Sequence, residues 1–218
     1  CWSLQEVSAL SCVISLGMVP VKPLALEKSK NVSPVSAPSS AGIAPVRPLA
    51  LEKLNLGGNN LADLPDAFSA LVSLRILFFL GNAFRAIPAV IGRLPALETV
   101  SFKSCQLAAV GEDCLPTSLR ALILTSNAIT SLPTTVDTLS RLKKLMLAQN
   151  KLNLLPDEIG ACHELELIRL SNNNLRCLPE GLLLLPNLAW IALAYSPVAN
   201  SWRASFNVAA IVAVVVVL

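Results

Sequence analysis

The chain has 218 residues, of which 54% are hydrophobic and 14% are charged, and its formal net charge is +3. Residues 51–200 contain twelve Lys or Arg and twelve Asp or Glu, so the excess positive charge lies outside this region. Because no basic stripe is available to neutralise phosphates, the composition argues against nucleic-acid binding.

Residues 1–46 are predicted to form an apolar start followed by a disordered linker. Residues 29–46 are rich in Ser, Pro and Ala and have no periodicity, which is typical of a flexible linker. The preceding stretch SALSCVISLGMVPV is apolar, but no basic segment comes before it, which argues against a signal peptide.

Residues 47–200 are built from units of 22 or 23 residues. Each unit reads roughly L-x-x-L-x-L-x-x-N-x-L-x-x-L-P-x-x-φ-x-x-L-x-x, where φ is apolar. The third unit departs most, because Cys105 takes the ninth position and Val110-Gly111 replaces the Leu-Pro step. The seven units begin at Leu51, Leu74, Leu97, Leu119, Leu142, Leu165 and Leu188.

The repeat predicts a short strand with inward leucines, followed by a sharp turn. An asparagine at the ninth position both donates and accepts hydrogen bonds, so it can satisfy backbone groups that this turn leaves inside the coil. We expect these side chains to form a ladder that is weakest at Cys105 and Ser196. Proline after the turn opens the returning segment. One unit cannot bury its own leucines, so the units must stack.

This pattern resembles the leucine-rich repeat. The resemblance implies an α/β fold, a right-handed solenoid or horseshoe of about seven repeats. Its short parallel β-sheet would lie on the concave face, with turns and short 3₁₀ or helical pieces outside. Intracellular proteins with L-x-x-L-P repeats of this kind scaffold signalling and polarity complexes.

Residues 74–195 also resemble the repeat region of leucine-rich repeat protein kinases of bacteria and algae. The segments LRILFFLGNAFRAIPAVIGRLPALETVSFKS and RLKKLMLAQNKLNLLP carry this resemblance. In that family a kinase domain follows the repeats, which act as its targeting or regulatory arm. This chain has no G-x-G-x-x-G, V-A-I-K, H-R-D or D-F-G motif, so no catalytic residue can be transferred to it.

Residues 201–218 form an apolar tail of unknown role. Residues 208–218 carry no charge but are too short to span a bilayer. Three interpretations stay open: the start of a membrane helix, a strand or helix that covers the open end of the solenoid, or terminal sequence without a defined role. We expect no membrane association, although this tail leaves the question open.

No motif for catalysis, metal binding or cofactor binding stands out, so we predict no enzyme activity, metal or cofactor. His163, the single histidine, falls at the solvated edge of its unit. Cys114 and Cys162 occupy apolar positions and are predicted to lie in the core, with Cys177 at the surface. The six cysteines form no CxxC pair and no paired terminal caps, so we expect a reducing, cytoplasmic location.

The third and fifth residues of each unit are predicted to point out from the sheet onto the concave face. Several are apolar, and exposed apolar patches flanked by charge mark contact surfaces. The opposing interpretation is that loose repeats drift toward leucine, or that a flanking segment covers the face. The predicted partner-binding residues are Ile76, Phe78, Leu80, Ile123, Met146, Lys144, Leu167, Arg169 and Trp190.

Together these features predict a monomeric protein–protein interaction module, a scaffold or adaptor that binds a protein partner through the concave face without catalysis. The alternative is the sensor or targeting arm of a protein kinase whose catalytic domain lies outside this sequence. A membrane-tethered receptor ectodomain is a third possibility, which paired terminal cysteines and a true signal peptide would favour.

Overall fold

A parallel β-sheet runs through all seven repeats. The computed structural model describes residues 51–199 and, as backbone, residues 215–217. Each repeat contributes a three-residue strand at its third to fifth positions, and each strand pairs in parallel with the next in chain order. The predicted leucine-rich repeat solenoid is therefore confirmed. The strands are β1 (Lys53–Asn55), β2 (Ile76–Phe78), β3 (Thr99–Ser101), β4 (Ala121–Ile123), β5 (Lys144–Met146), β6 (Leu167–Arg169), β7 (Trp190–Ala192) and β8 (Val215–Val217).

A second row of short helices runs alongside the sheet, with the core between them. Each of these helices begins directly after the proline of the Leu-Pro or Ile-Pro step, whose φ lies between −60° and −71°. Proline suits this place because its fixed φ is helical and its missing N–H would have no helical partner. They include the 3₁₀ helices Asp66–Ala70, Ala89–Arg93, Thr134–Thr138 and Asp157–Ala161, and the α-helical turn α1, Glu180–Leu183.

Aliphatic side chains from all seven repeats meet in one continuous core. The middle residues of the strands, such as Leu77 and Leu145, and the next inward residue, such as Leu147, are fully buried. Burying one leucine is worth roughly 1.5–3 kcal/mol. A repeat that stood alone would leave these side chains open on two sides, so the stack supplies the stability.

Asparagines at the ninth position tie each turn to the next. Asn127 Oδ1 accepts hydrogen bonds from the backbone amides of Cys105 (3.0 Å) and Leu107 (2.9 Å) in the preceding repeat. Its Nδ2 donates to the carbonyl oxygens of Phe102 and Leu124, one in each repeat. The predicted ladder is therefore present. The same bridging recurs at Asn82, Asn150 and Asn173.

The ladder is weaker at Cys105 and Ser196, as the sequence predicts. Cys105 Sγ donates to the Phe79 carbonyl at 3.0 Å, but it has no oxygen to offer the amides of Asn82 and Phe84. The sulfur, a weak acceptor, faces the Asn82 amide instead. Ser196 Oγ makes single bonds of 3.2 Å to one backbone amide and one backbone carbonyl.

The third repeat also differs in the core and along the row of helices. Phe102 packs here against Phe79 and Phe84 of the second repeat, with ring centroids 4.7–5.3 Å apart. Val110-Gly111 replaces the Leu-Pro step, and the third repeat, which the structure describes throughout, has no helix after it. The returning backbone instead approaches the second repeat so closely that a Cβ on Gly92 would lie 2.4 Å from the Asp113 carbonyl oxygen.

The eighth residue of every repeat adopts a left-handed backbone, with φ between 56° and 69°. This conformation costs a non-glycine residue about 1–2 kcal/mol. The tight turn after the strand of each repeat imposes it on residues with no shared chemistry, so this conformation has no sequence signature. The residues are Gly58, Gly81, Ser104, Ser126, Gln149, Asn172 and Tyr195.

β8 extends the sheet beyond the last repeat. It pairs in parallel with β7, with Trp190 opposite Val215 and Ala192 opposite Val217. This pairing matches one interpretation of the apolar tail, a strand at the open end of the solenoid. The remainder of the predicted tail (201–214 and 218) and the predicted start and linker (1–46) lie outside the described residues.

Replacing Cys105 by Asn should stabilise the protein, because the side-chain carbonyl would accept hydrogen bonds from the amides of Asn82 and Phe84 more strongly than sulfur can. We expect a gain of about 1–2 kcal/mol in the free energy of unfolding, measured by urea titration with circular dichroism. The control is Cys177→Asn at an exposed position, with a change within about 0.5 kcal/mol. Equal unfolding midpoints for Cys105→Asn and the wild type would refute the claim that the turn lacks a strong hydrogen-bond acceptor at Cys105.

Replacing Gly92 by Ala should destabilise the protein by about 1–3 kcal/mol, because the new methyl group would collide with rigid backbone. Gly111→Ala is the matched control, since a Cβ there meets nothing within 4 Å. Its effect should stay within about 1 kcal/mol and favour the folded state. If both variants melt together in a thermal scan, the close approach at Gly92 is wrong.

Candidate functional site

The strand face is the outer surface of the sheet, formed by the side chains at repeat positions three, five and seven. In β2, β4 and β5 the middle residue is buried while its neighbours are more exposed, as strand alternation requires. Phe78, Ile123 and Met146 are half-buried, and Leu80 and Trp190 are 50% and 38% exposed. The predicted outward direction of these side chains is confirmed.

The strand register divides the apolar side chains of this face into three groups. The first group lies on β2 and includes Leu80, two residues after that strand. The second group joins β4 to β5, and the third group joins β6 to β7. Thr99 and Ser101 on β3 separate the first group from the second. At about 4.8 Å per strand, β2 to β7 span about 24 Å. In order, the groups are Ile76, Phe78 and Leu80; Ile123 and Met146; and Leu167 and Trp190.

Four exposed cations lie among these apolar groups. Lys53 on β1 and Lys103, two residues after the end of β3, flank the first group. Lys144 on β5 and Arg169 on β6 lie beside members of the second and third groups, within the face. Across the seven repeats, positions three, five and seven hold no carboxylate.

The nearest carboxylates lie one residue before the strands, at repeat position two. Arg75 pairs with Glu98 at 2.9 Å and Lys143 with Glu166 at 2.8 Å. The hydrogen bond and charge of Lys143 lower the pKa of the Glu166 carboxyl, and Glu166 raises the pKa of Lys143 in turn. Such exposed pairs add little stability. This row holds three acidic and three basic residues, so it is neutral.

Two residues predicted to point outward are covered. Ser101 and Ala192, at the fifth position in β3 and β7, are 7% and 8% exposed. In the strand register Ser101 lies between Phe78 and Ile123, and Ala192 lies beside Arg169, so larger residues flank both short side chains. The predicted site also omitted Lys53 and Lys103, which lie on the same face as the residues that it included. Their repeat positions, three and seven, were the signal that could have found them.

The described residues hold neither a cluster of metal ligands nor a membrane-spanning helix. Within them, no three His, Cys, Asp or Glu side chains lie close enough to hold a metal ion. His163 is exposed, as predicted, and its backbone carbonyl accepts a hydrogen bond from Asn187 Nδ2 at 2.8 Å. No helix among these residues has the length and apolar character needed to cross a membrane.

The cysteines lie where their repeat positions predict. Cys114 and Cys162 are in the core, and burial raises the pKa of each thiol to about 11. Burial also raises the pKa of Cys105, while Cys177 is exposed. Because the thiolate is the reactive form, these environments should give the four thiols very different reactivities.

Brief alkylation with iodoacetamide at pH 8 should modify Cys177 and spare Cys105, Cys114 and Cys162. At that pH about a thousandth of a thiol with a pKa near 11 is ionised, and the core also excludes the reagent. Peptide mass spectrometry would measure each site, with a urea-unfolded sample as the control in which all four react. Equal labelling of Cys114 and Cys177 in folded protein would place Cys114 at the surface.

Comparison with known proteins identifies the repeat. Family models described as leucine rich repeat match residues 117–175 and residues 50–71. A solved leucine-rich repeat protein of Leptospira interrogans aligns with a TM-score of 0.63 and 26% sequence identity. The alignment covers 67% of this chain and 43% of that one, so this chain spans less than half of that protein. No curated protein matches the chain.

Proposed function

The chain is a leucine-rich repeat protein, and on this premise we propose that it is a scaffold or adaptor that binds a protein partner through its strand face. The observation that carries the proposal is the set of three apolar groups on the outer side of the sheet. The inner side of the same strands already closes a continuous core. The apolar groups are therefore not needed for folding, and burying them on a partner would be favourable.

The composition of the strand face supports a protein ligand. Protein interfaces are enriched in aromatic side chains, Met and Arg, and a few such residues carry most of the binding energy. Phe78, Met146, Arg169 and Trp190 are of these types and lie on four different strands. A partner that reached from Phe78 to Trp190 would cross the whole sheet from β2 to β7.

Binding without catalysis is part of the same proposal. The strand face holds neither a carboxylate nor a histidine at positions three, five and seven, so it offers no acid–base pair for proton transfer. We also propose a monomer in the cytoplasm. The free thiols of Cys105, Cys114 and Cys162 in the core suit a reducing compartment.

The alternative function is the sensor or targeting arm of a protein kinase. It is supported by the resemblance of residues 74–195 to the repeats of such kinases, and it would use the same strand face. Reading the coding sequence beyond Leu218 distinguishes the two. Kinase motifs downstream would favour the arm, and a stop codon would favour the scaffold.

The variant Phe78→Ser/Ile123→Ser/Met146→Ser should keep its fold and lose its partner. These side chains are half-buried on the outer face, so we expect unchanged far-UV circular dichroism and a loss of at most about 1 kcal/mol per substitution. Affinity capture from cell extract with quantitative mass spectrometry should recover a protein with the wild type that this variant does not retain.

The matched control is Val72→Ser/Leu154→Ser/Leu184→Ser, which removes three apolar side chains that are 41–72% exposed but lie off the strand face. It should retain the captured protein. If the control loses that protein as well, general surface hydrophobicity explains the capture, and the strand face is not the site. If the strand-face variant unfolds, its side chains have been assigned to the wrong side of the sheet.

A further inference from the structure

We propose that the partner segment is an acidic peptide with apolar anchor side chains, laid across the strand face from β2 to β7. This inference rests on the proposed function, since it names the chemistry of what the same face binds. Its basis is a separation of charge. Residues 51–200 hold equal numbers of acidic and basic residues, yet the strand face carries four cations and no carboxylate.

No carboxylate of the repeats lies at positions three, five or seven, which form the strand face. The carboxylates at repeat position two are balanced by an equal number of cations. Several others lie on the helices, across a core of about 10 Å, where salt at physiological strength screens them from the face within a Debye length of about 8 Å. These helix carboxylates are Asp66, Asp137, Asp157, Glu158 and Glu180.

The four cations are free to meet a ligand. The ion pairs among the described residues are Arg75–Glu98, Arg93–Asp66 and Lys143–Glu166, and none involves a strand-face cation. Lys144 contributes to the lowered pKa of Glu166, but Lys143 holds the hydrogen bond to that carboxyl. A carboxylate of the partner would therefore meet cations without displacing an existing ion pair.

The positions of these cations set a pattern for the ligand. Lys103 follows β3, between the first and second apolar groups, while Lys144 and Arg169 lie between members of the second and third. From the strand spacing, the centres of the groups are about 10–12 Å apart. An extended peptide advances about 3.3 Å per residue and its side chains alternate between two faces. Apolar anchors that share the face toward the sheet should therefore recur every four residues, with carboxylates between them.

Charge also separates this occupant from the other candidates. A second copy would bring its own cationic strand face against the first, and residues 1–50 of this chain carry a net charge of +2. Like charges across a contact oppose both arrangements. A nucleic acid would need stacking platforms for its bases, and the aromatic residues of the face, Phe78 and Trp190, lie five strands apart.

Selection from a phage-displayed library of random twelve-residue peptides on the full-length protein tests this proposal. We expect selected peptides to hold more Asp and Glu than Lys and Arg, with Leu, Ile, Phe or Trp every four positions. In fluorescence anisotropy, the affinity of a selected peptide should fall several-fold between about 0.05 and 0.5 M NaCl.

Charge reversal of the face should weaken that peptide at least tenfold and should redirect the selection toward basic peptides. The variant is Lys53→Glu/Lys103→Glu/Lys144→Glu/Arg169→Glu. A control variant with the same change in net charge reverses four exposed cations that lie at other repeat positions than three, five and seven. Its affinity for the peptide should stay within about threefold of the wild-type affinity. That control is Arg85→Glu/Arg141→Glu/Lys151→Glu/Arg176→Glu.

The unfavourable outcomes separate this inference from the proposed function. Basic or uncharged peptides that require Phe78, Ile123 and Met146 would overturn the acidic ligand and leave the binding face standing. If no peptide is enriched, or none responds to the strand-face variants, both proposals fail. If a labelled oligothymidylate binds as tightly as the selected peptides and competes with them, the ligand of the strand face is a nucleic acid and the peptide proposal is wrong.

Discussion

The strands of the repeats end in turns that leave backbone amides inside the coil, and where the ninth position of the next repeat is asparagine, its side chain accepts hydrogen bonds from them. An unpaired buried amide costs about 1–3 kcal/mol, so every turn requires a neighbour at a fixed offset. Asn127 shows the arrangement in full, bridging its own repeat to the preceding one. The same offset fixes the strand register, and with it the position of every side chain on the outer surface.

The third repeat shows what happens when this constraint is relaxed. It has Cys105 in place of asparagine, no Leu-Pro step, and small polar residues at positions three and five. Phe102 packs against Phe79 and Phe84 of the second repeat, and the backbone of the third repeat lies close to Gly92. The repeat still pairs on both sides in the common register. Sheet pairing and core volume therefore preserve the stack where one rung of the ladder is weak.

The division of each repeat into an inner and an outer set of side chains leaves the outer set free to vary. Inward leucines such as Leu77 and Leu145 are fully buried and cannot become polar without large cost. Outward residues face solvent, so the fold tolerates lysine, threonine, phenylalanine or tryptophan there. The apolar groups and cations on this surface therefore indicate what the protein binds and are not required by the fold.

The sequence by itself determined the number of repeats, the strand positions, the inward leucines and the ladder with its two weak positions. These follow from local chemistry: alternation along a strand, the hydrogen-bonding capacity of asparagine, and the restricted backbone of proline. The helix starts could be predicted for the same reason, since each follows a proline such as Pro133 or Pro156.

Tertiary structure decided what depends on neighbours along the stack. The left-handed eighth residue has no sequence signature, because turn geometry selects it whether the side chain is Gly81 or Tyr195. The close approach at Gly92 comes from a neighbouring repeat, and Ser101 is buried at a position that the register places between Phe78 and Ile123. Whether Lys144 lies at the margin or among the apolar groups likewise depends on strand register, which places residues from different repeats side by side.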